Sequence, residues 1–248
     1  MKKKTRNIIL TFLISLFLIG GGAYRYLSDS YSPGEDAVVA LNSTDEVQVE
    51  VKEEYTAFVP IEKIEKVGLI FYQGGKVEED TYAPLLKKIA EEGIPSYLAK
   101  MPFNLAVLDS DAANQIIEEE TEIKDWFLAG HSLGGAMAAN YAGDHPDDLE
   151  GLILLAAYSS VDLSEEDLSV LSIYGKEDEV LNMEKYEENQ SFIPQMEERI
   201  IEGGNHAQFG DYGKQNGDGK ADISARSQLD ESVQVIQRFI KEALQKSN

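Results

Sequence analysis

The sequence predicts an α/β domain: a mostly parallel, doubly wound sheet with helices on both faces. Three observations predict it. Short apolar runs of strand type alternate with stretches whose apolar residues recur at helical spacing. The 248 residues are 43% hydrophobic with only 7 prolines, which suits one domain of moderate size plus an appendage. Near the middle, "WFLAGHSLGGAMAANYAGDHP" passes from an apolar run into a small-residue run through one serine flanked by glycines.

The elements follow in order. "VQVEV" alternates and reads as an edge strand, and "KVGLIFY" (Lys66 to Tyr72) is a short apolar strand. Leu85, Leu86, Ile89 and Ala90 form one face of a helix that Gly93 stops. "PSYLAKM" is the next strand, Ala112 to Ile117 opens a helix, "DWFLAG" is a strand, and Gly135 to Gly143 is a helix. "LEGLILLAAY", "VLSIYG" and "EERIIEG" are the last three strands. Val233, Ile236, Ile240 and Leu244 then line the inner stripe of a closing helix. Crossovers of this kind are right-handed, and sites in such sheets lie at the carboxyl ends of the strands.

Three segments are expected. Residues 1–26 place Lys2, Lys3, Lys4 and Arg6 ahead of an apolar run from Ile8 to about Ala23. A positive flank before such a run keeps that end in the cytoplasm and sends the remainder outward, either as a retained membrane anchor or as a cleaved signal. Residues 27–45 are polar, small and without clear periodicity, and read as an extracytoplasmic tether. Residues 46–248 form the α/β domain.

Net charge is −23, and the five charges up to Arg25 are all basic, so the acidity lies wholly downstream. Such a surface repels nucleic acid and anionic headgroups, so no nucleic-acid partner is expected. The chain has no cysteine, so an exported domain stands on its core without disulfides. Oligomeric state is not legible.

In Gly130-x-Ser132-x-Gly134, a strained strand-to-helix turn forces the residues two before and two after the serine close together, which glycine permits. A serine hydroxyl is a poor nucleophile at neutral pH and needs a base. There are three histidines. His131 adjoins the serine and points away from it, His145 lies at the far end of the helix, and His206 follows the last strand in a glycine-rich loop. His206 is the base by elimination. A carboxylate must hold its tautomer. After the penultimate strand, "YGKEDEV" offers Asp178, with Glu177 as the alternative.

The order Ser132, Asp178, His206, the "GHSLGG" turn and "YGKEDEV" resemble the α/β-hydrolase fold over about Val67 to Leu244. The resemblance implies that "FYQGG" is the oxyanion loop, with Gln73 and Gly74 where many members carry His-Gly. The oxyanion donors would then be the backbone amides of Gly75 and Leu133. The stretch from Glu197 through "GGNHAQFGDYG" also resembles small bacterial hydrolases of the dienelactone hydrolase and carboxylesterase branches. Only "SSVDLSEEDLS" joins Tyr158 to Val170, so no cap domain is expected.

"DYGKQNGDGKAD" invites a calcium-loop reading, but its sixth position is Asn216 and no glutamate closes it, so a plain polar loop is expected. No metal and no cofactor are called for. The expectation is an extracytoplasmic serine hydrolase acting on small-molecule esters or related acyl compounds. Its alternatives are an acyltransferase and a non-catalytic binding protein of the same fold.

Overall fold

The computed structural model describes residues 29–62 and 66–246, with 12–15, 17, 20–22 and 25 of the N-terminal segment. Half of the apolar run expected to meet a membrane lies outside the described residues. Among those described, no helix is long and apolar enough to cross a membrane.

Eight strands form one sheet: β1 (Val47–Val51), β2 (Tyr55–Pro60), β3 (Val67–Tyr72), β4 (Ser96–Ala99), β5 (Asp125–His131), β6 (Gly151–Leu155), β7 (Ser169–Gly175) and β8 (Glu197–Ile201). Their spatial order is β1-β2-β4-β3-β5-β6-β7-β8. The β1–β2 and β2–β4 pairings are antiparallel and every later one is parallel. The sheet is thus the mostly parallel one expected, with an antiparallel edge.

Among the described residues from 29 onward, the α-helices are α1 (Glu35–Ala40), α2 (Ala83–Glu91), α3 (Ala112–Glu119), α4 (Leu133–Asp144), α5 (Met183–Glu188) and α6 (Ala225–Lys246). Every residue of β3 is buried, and its side chains alternate between two cores. Val67, Leu69 and Phe71 join α2 and α6 in one cluster, whereas Ile70 and Tyr72 join α3 and α4 in the other. Two covered faces explain why the central strands read as continuous apolar runs. The 13 residues between Leu155 and Ser169 contain no helix, so no cap domain covers the site.

The stretch read as a tether is docked against the domain. Tyr31 bridges to Val77, its amide donating to the Lys76 carbonyl at 2.8 Å, and α1 buries Ala37 and Ala40. Asp211 anchors that helix, accepting from the Ala37 amide at 2.8 Å, while its carbonyl accepts from Gly34 at 2.7 Å. These partners lie far along the chain, so no local pattern in the sequence marks the docking.

Candidate active site

Three loops at the carboxyl ends of parallel strands meet at one place. Ser132 sits between β5 and α4 with φ +52° and ψ −120°, a left-handed backbone that a non-glycine residue rarely adopts. Close packing enforces it. A Cβ on Gly130 would lie 2.5 Å from the Gly134 carbonyl, and one on Gly134 would lie 2.3 Å from the carbonyl oxygens of Tyr72 and Gln73. The Ser132 amide donates to the Leu155 carbonyl at 2.9 Å, which ties the turn to β6.

Asp178 lies three residues past the end of β7, and its two oxygens have separate duties. Oδ1 accepts from the amides of Val180 and Leu181, both at 2.8 Å. Oδ2 lies 2.8 Å from His206 Nδ1, and both side chains are 1% exposed. Glu177, the alternative acid, makes no contact with the imidazole; its amide donates to the Gly204 carbonyl. An imidazole bonded to a carboxylate through Nδ1 carries its proton there and presents Nε2 as a base. Nε2 is buried and has no partner among the described residues.

Ser132 and His206 border one cavity of about 260 Å³, walled by Leu133, Ala136, Ala156, Ala157, Val180 and Leu181, with Tyr158 and Asn182 at its polar side. Among the described residues, no Asp, Glu, Lys or Arg side chain lines it. His145 lies elsewhere, stacked on Tyr141 with ring centroids 4.4 Å apart.

The loop after β3 packs on this turn: a Cβ on Gly75 would lie 2.9 Å from the Leu133 side chain. Leu133 opens α4, so its amide has no acceptor within its own helix. Among the described residues the Gly75 amide has no acceptor either. The Gly74 amide, in contrast, is engaged by the Tyr82 hydroxyl at 3.1 Å. Gln73 is fully buried and donates to the Val77 carbonyl and to Asn104 Oδ1.

His131 points away from Ser132 but not out of the site, which the sequence does not reveal. Its ring packs 4.5 Å from that of His206, and its Nδ1 lies 2.8 Å from the Tyr82 hydroxyl. That hydroxyl accepts from Gly74, so donating its one proton to Nδ1 satisfies the pair and leaves the His131 proton on Nε2. Burial holds the His131 imidazole well below the ordinary histidine range; the neighbouring His206 ring acts in the same direction, while the His206 backbone opposes it. His131 is therefore a neutral spacer between Tyr82, which holds the Gly74 amide, and His206.

A model of the alpha/beta hydrolase family matches residues 68–230, about two thirds of the chain and all of the loops just described. This chain belongs to the alpha/beta hydrolase family. Solved structures of similar fold include three whose names describe ester-cleaving enzymes. The hydrolase superposes on a hyperthermophilic esterase from Pyrobaculum calidifontis with TM-score 0.60 and 14% identity, covering 83% of this chain and 89% of that one. A novel esterase from Mycobacterium tuberculosis gives 0.57 and 14%, with 82% and 95% covered. A monoacylglycerol lipase from Paleococcus ferrophilus gives 0.57 and 13%, with 77% and 99% covered. At these identities the likeness speaks for the fold. No curated protein matches the sequence of the hydrolase.

Proposed function

We propose that this alpha/beta hydrolase is a serine hydrolase of carboxylic esters, with Ser132 as nucleophile, His206 as general base and Asp178 as its orienting acid. The observation that carries the reading is the Asp178–His206 pair beside the strained Ser132 on one cavity wall. Ser132 Oγ attacks the ester carbonyl while its proton passes to His206 Nε2. Asp178, whose other oxygen two amides hold still, stabilises the imidazolium that forms. The free amides of Gly75 and Leu133 receive the oxyanion. His206 returns the proton to the departing alcohol, and water then releases the acyl group by the same route.

The cavity is small, mostly apolar in its walls and has no cap above it, which favours short, uncharged acyl esters of the carboxylesterase kind. The cationic flank of the N-terminal run supports placing the domain outside the cell, held at the membrane or secreted. Protease added to spheroplasts should then degrade it while a cytoplasmic marker survives.

A fluorophosphonate probe tests the mechanism. It should label the wild-type protein at Ser132 and fail on Ser132→Ala and His206→Ala, both folded and without esterase turnover on short nitrophenyl esters. Labelling elsewhere, or normal turnover in His206→Ala, would refute the assignment.

A further inference from the structure

The loop "DYGKQNGDGKAD" has no part in the chemistry just described, yet one of its side chains reaches the base. Asp218 Oδ1 accepts from the amides of His206 at 3.2 Å and Gly219 at 2.8 Å. Its Oδ2 accepts from the Ala207 amide at 2.9 Å. His206 opens the 3-10 turn Ala207–Phe209, whose first amides have no acceptor within the turn. Asp218 therefore caps the very turn that carries the base, from a position 12 residues further on.

The remainder of the loop fits around that bond. Asn205, just before the base, donates its side-chain amide to the Gly219 carbonyl at 2.8 Å. Gln228 of α6 grips the Asn205 backbone twice, accepting from its amide at 2.9 Å and donating to its carbonyl at 2.8 Å. Gly219 packs so closely on the Glu177 carbonyl that a Cβ would lie 1.8 Å from it. Glu177 directly precedes Asp178, so one loop braces the acid turn and the base turn together.

The geometry points to Asp218 as a positioning residue for His206, an inference that rests on the proposed triad. An imidazole has two side-chain torsions, so where its nitrogens reach is set by its backbone. Nδ1 must meet Asp178 while Nε2 serves Ser132, and both conditions hold only if the His206 backbone is fixed. Asp218 fixes it with a charged acceptor, the stronger kind of hydrogen bond.

The test uses the full chain as wild type, Asp218→Ala and Asp218→Asn. Fluorophosphonate labelling of wild-type Ser132 comes first; if it fails, the triad is wrong and the fault does not lie with Asp218. With the triad intact, Asp218→Ala should lower kcat and the labelling rate by about 10- to 100-fold while KM moves less than about threefold, as a misplaced base requires. Asp218→Asn keeps one acceptor oxygen and should fall between the two. The low-field proton resonance of the His206 Nδ1–H bond to Asp178 should shift or broaden in both variants. A folded Asp218→Ala protein with wild-type kcat, even one with a lowered Tm, would show the contact to be merely structural and overturn the inference. If the alanine variant does not fold, wild-type kcat in Asp218→Asn overturns it equally.

Discussion

At the scale of single residues, the division of labour within Asp178 makes a sharp prediction. With Oδ1 held by the amides of Val180 and Leu181, an asparagine must keep its oxygen there and turn its amino group to His206 Nδ1. That group donates, so the imidazole proton moves to Nε2 and the base is lost. Asp178→Asn should therefore keep the fold and lose turnover by about 10⁴, the scale known for a mispaired tautomer. Steady-state kinetics beside a melting curve checks this. His131 predicts a pH dependence. Its folded pKa is depressed below the ordinary 6.5, so below that pH the unfolded chain binds a proton that the folded chain refuses. Stability from this residue is present above about pH 6.5 and lost as pH falls toward the depressed value. In His131→Asn the Tyr82 bond has an acceptor at every pH. The Tm advantage of wild type over this variant should shrink between pH 8 and pH 5; a constant advantage would refute a buried neutral histidine.

At the scale of elements, the turn between β5 and α4 holds Ser132, the proposed nucleophile, by exclusion of volume. Gly134→Ala places a methyl 2.3 Å from two carbonyl oxygens of the oxyanion loop, so strand, helix or loop must move. The cost should be about 3 kcal/mol or more, with esterase activity lost even in the folded fraction, as denaturant melts and activity together would record. The alanine-rich α4, burying Ala138, Ala139 and Ala142, allows this close approach of helix to sheet. Strands β3, β5, β6 and β7 are legible as apolar stretches because both faces are covered, whereas the edge strand β8, "EERII", buries only Ile201. β2 is not legible in this way, since "YTAFVP" carries a polar residue and a proline and is settled by antiparallel pairing with β1 and β4. Nor is α5: it is six residues long, buries only Tyr186, and starts where Asn182 accepts from the Lys185 amide.

At the scale of the whole molecule, residues 31–41 join the two ends of the domain. Tyr31 pairs with Val77 beside the oxyanion loop and packs 5.4 Å from Tyr212 beyond the base, and Asp211 anchors α1. A chain that begins at Asp29 should melt like one that retains the preceding residues. A chain that begins at Glu46 loses the buried Ala37 and Ala40 and leaves Asp211 without its helix, and its Tm should fall on the order of 5–10 °C. Equal melting of the two would show residues 31–41 to be an ornament on an independent domain.

The sequence by itself determined the parallel α/β architecture, the glycine-framed serine turn, the absence of a cap, and the serine and histidine of the proposed triad. These are local: periodicity, glycine spacing and chain order carry them, and strand ends in a parallel sheet converge on one edge. Only the tertiary structure decided between Asp178 and Glu177, placed His131 against His206, freed the Gly75 amide while engaging that of Gly74, and folded residues 31–41 and Asp218 against the catalytic loops. Each of these rests on hydrogen bonds or ring contacts between residues distant in sequence. Such contacts leave no periodic trace, because one polar side chain at one position suffices to make them.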